Sequence, residues 1–207
     1  MKIGVLGTGQ MATVLGEQWV AQGHQVFVGG RDPDKAAALG ERLGARAGSL
    51  RAAAQFGEVL LMGVHWAGIE YTAVAIGDAA RGKVLIDCGN PVEIEGFTRT
   101  TEPGDSLGEL IARRTAARVV KAFNLCHAEV WAMRPPVFDG RPLAVPYCGD
   151  DPDGKGVVAQ LIREIGAAPV DLGPLYHARD LEGMATVIIT LLFGGLAPRT
   201  VFNLVTA

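Results

Sequence analysis

Cysteine is scarce in this 207-residue sequence: Cys88, Cys126 and Cys148 are all there is. An odd number with no metal-ligand spacing fits a reducing cytoplasm better than a disulfide scaffold, and no metal site is expected. Charge is sparse too. Asp, Glu, Lys and Arg make up 20% of the chain, the formal net charge is −3, and the cations form no stripe, so no nucleic-acid partner is expected. Long apolar runs are missing: the richest, residues 184–193, is about half of what a membrane helix needs. It is expected to be a buried or interface helix, with no membrane contact. No signal-peptide pattern precedes the first strand pattern, and a cytoplasmic location is the expectation. Repeats and low-complexity tracts are absent. So are a Ser-His-Asp order, a paired-carboxylate motif, and HxxxH or CxxC spacing.

Apolar residues are plentiful, at 49%, enough for a large core. They fall into short continuous runs at 2–6, 25–29, 58–64, 83–88, 118–123, 142–149 and 168–172. Between them lie helical patterns at 10–23, 32–44, 49–57, 67–80, 106–115 and 151–166. Gly23 reads as a helix stop, Asp32-Pro33 as a cap followed by a first-turn proline, and Ser106 with Glu109 as a capping box. Pro146 argues that 142–149 is an edge or irregular strand. Residues 89–104 read as a loop, and the last 35 or so as helix, broken near Gly194, Gly195 and Pro198. Apolar strands alternating with helices predict an α/β fold, a doubly wound and mostly parallel Rossmann sheet. That domain is expected over 1–173. A short C-terminal helical appendage, 174–207, is expected to close the substrate site, form a homodimer interface, or both.

Ligands of such sheets sit beyond the carboxyl ends of the strands. After the first strand comes Gly7-Thr8-Gly9-Gln10-Met11-Ala12, a G-x-G-x-x-A turn. Gly7 permits the tight turn, Gly9 lets a pyrophosphate approach the backbone, and Ala12 lets helix sit against strand. The helix N-terminus then offers N–H groups to the phosphates. An NAD site would place a carboxylate at the end of the second strand, on the ribose 2′-hydroxyl. Here stand Gly29, Gly30 and Arg31. A carboxylate would repel a 2′-phosphate, whereas glycine leaves room and a guanidinium binds it in paired, charge-assisted hydrogen bonds. The expected cofactor is therefore NADP(H), with Thr8 and Lys35 as further contacts and Asp32 occupied as a helix cap. The alternative is a solvated surface Arg31.

The stretches KIGVLGTGQMA, GGRDPDKA, DCGNP, RVVKAFN and CGDDPDGKGVVAQLIREIGAAPVDLGPL, in this order and spacing, resemble the NADP oxidoreductase, coenzyme F420-dependent family over nearly the whole chain. The nucleotide domain also resembles the cytosolic part of six-transmembrane metalloreductases, whose membrane spans are missing here. Pyrroline-5-carboxylate and 3-hydroxyacid reductases, which it resembles too, carry a longer helical second domain. The family resemblance implies hydride transfer between nicotinamide C4 and C5 of a deazaflavin, coenzyme F420, with the protein orienting two flat rings. It implies that Val64, His65 and Trp66 line the nicotinamide side, that Asn90 and Pro91 hold the nicotinamide or its ribose, and that Asn124, Leu125, Cys126 and His127 face the second substrate. Other readings stay open: Trp66 as a core aromatic, His65 and His127 as plain surface or core histidines, Asn90-Pro91 as a tight turn, Cys126 as a small apolar residue. Archaeal members carry a histidine in place of Asn124 and hydroxyl residues near Gly183 and Ala185. The acceptor therefore stays open between a deazaflavin and another small molecule (an imine, carbonyl, flavin or quinone), as does a non-enzymatic redox sensor. For a carbonyl or imine, His65, His127 or Tyr147 would be the proton donors.

Overall fold

The computed structural model describes residues 1–196. In chain order they form β1 (Lys2–Leu6), α1 (Gln10–Ala21), β2 (Gln25–Gly30), α2 (Pro33–Leu43), β3 (Arg46–Ser49), α3 (Leu50–Phe56), β4 (Val59–Met62), α4 (Ile69–Ile76) and β5 (Val84–Asp87). A hairpin of β6 (Val92–Glu93) and β7 (Thr98–Arg99) follows, then α5 (Leu107–Thr115), β8 (Arg118–Lys121) and α6 (Ala128–Trp131). A second hairpin, β9 (Val137–Phe138) and β10 (Arg141–Pro142), leads to β11 (Ala144–Gly149), α7 (Pro152–Glu164), β12 (Ala168–Asp171) and α8 (Ala178–Phe193).

Eight strands make one sheet in the order β3-β2-β1-β4-β5-β8-β11-β12. Neighbours run parallel except β8 and β11, which meet antiparallel through Lys121–Cys148 and Val120–Gly149. The fold is the expected mostly parallel α/β sheet. Chain order reverses at β1, which lies between β2 and β4, so the crevice at its carboxyl end is the place for a ligand. The central strands are buried on both faces because helices cover both. Val5, Val28, Leu61, Ile86 and Val120 pack with Leu15, Trp19 and Leu161 on one side. Leu6, Leu60, Met62 and Leu85 pack with Ile111 and Leu181 on the other.

Helix signals hold where a side chain can reach its own backbone. Asp32 accepts from Asp34 N and Lys35 N, and Gly44 ends α2 in a left-handed conformation. At α5, Ser106 Oγ accepts from Glu109 N, but the return bond of a capping box is not made. Ser106 N donates to Asp105 instead, while the Glu109 carboxylate accepts from the Ser106 hydroxyl and from Arg179. The predicted helix 67–80 is divided, with 3-10 turns before and after α4 and a positive φ at Gly77. Strand β11 is not an edge strand. It lies between β8 and β12, and Pro146 is tolerated because only Cys148 and Gly149 pair with β8. Helix α8 stops at Gly194 as expected; Pro198 lies outside the described residues.

Candidate active site

Gly7 has φ +122°, and a Cβ there would sit 2.5 Å from Gly63 O. Its N–H donates to Gly29 O at 2.8 Å, tying the turn after β1 to the end of β2. Gly63 in turn leaves 3.0 Å between its would-be Cβ and Ala12 Cβ, which is why position 12 must be small. Gly7→Ala combines a strained φ with a backbone clash. It is expected to cost about 2–3 kcal/mol, read as a lower urea midpoint, together with a loss of nucleotide binding.

Helices α2, α3, α5 and α7 each carry a side-chain cap from Asp32, Ser49, Ser106 and Asp151. Helix α1 begins at Gly9 with no side-chain cap. Its first-turn N–H groups, on Gln10, Met11 and Ala12, are left for an external anion. A cleft of about 510 Å³ opens at Gly9, the residue before them; Gln10, Met11 and Ala12 are not themselves in its lining. Its lining includes Gly7, Thr8, Gly9, Gly30, Arg31, Lys35, Val64 and His65, which the sequence singled out, and also Asp32, Leu50, Gly63, Gly68, Tyr71 and Thr72, which as a lining it did not.

Arg31 reaches across the mouth to Tyr71, its guanidinium 5.8 Å from the ring centroid. Lys35 lies 3.9 Å from the Asp32 carboxylate, both well exposed. At Gly30 a Cβ would come within 3.2 Å of Thr8 Cγ2 and 3.0 Å of Ala36 Cβ. A side chain here would crowd the passage between the two strand ends.

The remaining predicted residues do not gather in this cleft. Trp66 donates its Nε1–H to Val92 O at 3.1 Å and so pins the first hairpin. Pro91 is buried, and its carbonyl accepts from the Thr100 N–H and hydroxyl. Asn90 and Asn124 form a pair: Asn90 Nδ2 donates to Asn124 O at 2.8 Å, and Asn124 Nδ2 donates to Asn90 Oδ1 at 2.9 Å and to Leu181 O at 3.1 Å. Asn124 is 5% exposed, and its Oδ1 has no partner. Phe123 beside it holds φ +65°, wedged edge-on against Trp19 and Trp131. Cys126 is half-buried, and burial pushes its thiol up, so it stays protonated at neutral pH. His65, on the cleft wall, and His127, away from it, are both exposed. Each accepts through Nδ1 from an N–H two residues on, at Ala67 and Glu129.

Beneath the Asn pair lies a group the sequence reading missed. Lys121 and Asp87 end β8 and β5 in register. Their side chains, with that of Glu182 from α8, are 0% exposed. Lys121 Nζ is 2.8 Å from both Asp87 Oδ2 and Glu182 Oε1, and also donates to Gly89 O. Glu182 accepts from Leu107 N and Gly108 N at the start of α5. Burial opposes the charge on Lys121, but Asp87 and Glu182 outweigh it and raise the ammonium above its ordinary value. Burial pushes the Glu182 carboxyl up.

A second, partly exposed pair, Glu109 with Arg179, fastens α8 to α5, and beside it Asp105 pairs with Arg113 of α5 itself. The guanidinium partners hold both carboxyls below their ordinary values. Carboxyls with depressed folded values stabilise above the ordinary carboxylate range and lose that contribution as pH falls through the lowered values. Acidification from about pH 5 to about pH 3 is therefore expected to loosen the α8–α5 contact first, seen as faster hydrogen exchange in α8 than in α1.

Among the described residues no helix is long and apolar enough to cross a membrane, and no group of three or more metal-ligating side chains is assembled. Residues 2–91 match the family described as NADP oxidoreductase, coenzyme F420-dependent. A solved structure of a proposed F420-dependent NADP reductase from Arthrobacter sp. FB24 is 30% identical. Each chain covers 94% of the other, with a TM-score of 0.83. The F420-dependent NADP reductase of Methanothermobacter marburgensis is 28% identical over 209 residues, 92% of each chain. Metalloreductase STEAP3 of Rattus norvegicus is 33% identical over 186 residues, 88% of this chain. The chain spans only 36% of that metalloreductase's length. The crevice, the uncapped α1 and the match along 94% of the Arthrobacter structure converge: this chain belongs to the NADP oxidoreductase, coenzyme F420-dependent family.

Proposed function

We propose that this chain binds NADP(H) in the cleft beyond β1 and transfers hydride between nicotinamide C4 and C5 of a deazaflavin of the coenzyme F420 class. The carrying observation is the cleft that joins an uncapped α1 to Gly30 and Arg31. First-turn N–H groups of α1 take the pyrophosphate. Arg31, with Lys35 and Thr8, takes the 2′-phosphate. The nicotinamide then runs past Val64 and His65 toward Asn90 and Asn124, at the ends of β5 and β8. The nicotinamide supplies or takes the hydride; the chain's part is to fix the rings face to face and keep water out.

One observation favours a second acceptor class. Where archaeal relatives carry a histidine, the Asn124 amide is engaged by Asn90 and Leu181, and Ala185 is buried. A flavin, quinone, imine or carbonyl acceptor asks for no such histidine. Stopped-flow assays with NADPH against coenzyme F420, flavins, quinones and cyclic imines decide between them. Bleaching of the deazaflavin band with NADPH supports the first reading, and turnover of another acceptor alone replaces it. Tight NADPH binding with no turnover anywhere makes the protein a redox sensor.

The chain is also proposed to pair with a second copy through α8, whose Met184, Val187 and Phe193 stand exposed. Light scattering is expected to give about twice the 21.7 kDa of one chain; a value near 21.7 kDa would remove the dimer.

A further inference from the structure

The buried ammonium of Lys121 belongs to a closed circuit. Lys121 donates to Gly89 O. The next residue, Asn90, is doubly bonded to Asn124. Asn124 donates to Leu181 O. The residue after Leu181 is Glu182, which returns to Lys121 at 2.8 Å. Asp87 completes it, accepting from Gly89 N at 2.8 Å through one oxygen and from Lys121 through the other. The circuit spans β8 and α8 and lies at the carboxyl ends of β5 and β8, which are in register. None of these groups lines the cleft under Arg31.

The geometry points to Lys121 as a positioning residue: by holding Gly89 and Glu182 together it sets the Asn90–Asn124 amide pair, and with it the seat of the nicotinamide ring. It rests on the proposed NADP(H) reading and adds that the two ends of the nucleotide are held by separable parts of the fold. The adenosine end depends on β1, β2 and α1; the nicotinamide end depends on the buried circuit. The Gly89 peptide is held directly by both Asp87 and Lys121, its N–H on Asp87 and its carbonyl on Lys121, and a Cβ there would lie 2.8 Å from Leu107 Cδ2 and 3.2 Å from Asp87 Oδ1.

The test compares 2′,5′-ADP, which occupies only the adenosine end, with NADPH. The variant is the uncharged triple Asp87→Asn, Lys121→Met, Glu182→Gln, in the full chain. Its affinity for 2′,5′-ADP is expected to stay within about twofold of wild type. Its affinity for NADPH is expected to fall at least about fivefold, with a changed emission spectrum of the bound dihydronicotinamide. With whichever acceptor the wild type uses, kcat is expected to fall by about tenfold or more while the acceptor KM moves less. If the triple variant does not fold, Glu182→Gln alone must show the same split at about threefold. Unchanged NADPH affinity and emission, or an equal loss of both nucleotides, overturns the inference and leaves the circuit a purely structural one. Failure of the wild type to bind 2′,5′-ADP removes the NADP(H) reading itself, and this inference with it. If the wild type binds both nucleotides but turns over no acceptor, the affinity ratio alone decides.

Discussion

Replacing Arg31 by alanine will weaken NADPH binding about 30-fold and leave NADH binding unchanged. The size follows from the chemistry. A guanidinium–phosphate contact is a charge-assisted, paired hydrogen bond, and losing such an interaction costs about 2 kcal/mol, which is about 30-fold in Kd. The selectivity follows from the place. Among the described residues Arg31 makes no side-chain hydrogen bond or ion pair and is exposed, its guanidinium 5.8 Å from the Tyr71 ring centroid, so removing it leaves no buried group unsatisfied and the fold intact. Asp32 is engaged as the α2 cap, its Oδ1 accepting from Asp34 N and Lys35 N. The site is open to water, so the wild-type preference for NADPH is expected to shrink with added salt. Arg31→Lys keeps the charge without the fork and should fall between wild type and alanine. Titration of wild type and variants with both reduced nucleotides decides the matter. Equal wild-type affinity for NADH and NADPH would sink the 2′-phosphate assignment.

The parts of this protein that are legible in its sequence are those governed by short-range physics. Val59–Met62 and Val84–Asp87 are buried throughout and read as continuous apolar runs. The Gly7 turn, the Asp32 cap with Pro33, and Gly30-Arg31 each act within a few residues of themselves, and the structure brings them to one cleft. The elements missed are those whose pattern is weak or whose cause is distant. Strand β3 is Arg-Ala-Gly-Ser, an edge strand with half its width in solvent, so neither an apolar run nor an alternation marks it. Strands β6, β7, β9 and β10 have two residues each, too few for any period. Tyr71 enters the cleft only because α4 begins one short turn after β4. The buried triad was least visible. Asp87 and Lys121 are each the last residue of a strand but sit within an apolar run, and nothing local marks a charged residue there as buried. Only the β5–β8 register and the docking of α8 show that they meet each other and Glu182.

Lys121→Met is expected to be the most destabilising single substitution at this end of the sheet, by about 3–5 kcal/mol. The loss comes less from the broken pairs than from what stays behind. Asp87 and Glu182 would remain at 0% exposure with no cation between them, and a carboxylate left buried without its partner bears the full cost of desolvation. The same argument predicts a rescue: adding Asp87→Asn and Glu182→Gln removes both orphaned charges, and the triple variant should recover most of the lost stability. The pH dependence has a definite sign. The Glu182 carboxyl is raised in the folded state, so the native protein holds its proton more tightly than the unfolded chain does. Its contribution therefore falls as pH rises from the ordinary carboxylate value through the raised one. This is opposite to Glu109 and Asp105, whose depressed values favour folding above the carboxylate range. The raised Lys121 ammonium stabilises fully below the ordinary lysine value, and that contribution is lost as pH climbs through the folded one. Urea unfolding of wild type, Lys121→Met and the triple variant between about pH 5 and about pH 9 tests the destabilisation, the rescue and the sign of the Glu182 contribution. A Lys121→Met midpoint equal to that of wild type would mean the two carboxylates find water or each other, and that the triad does not hold this end of the sheet together.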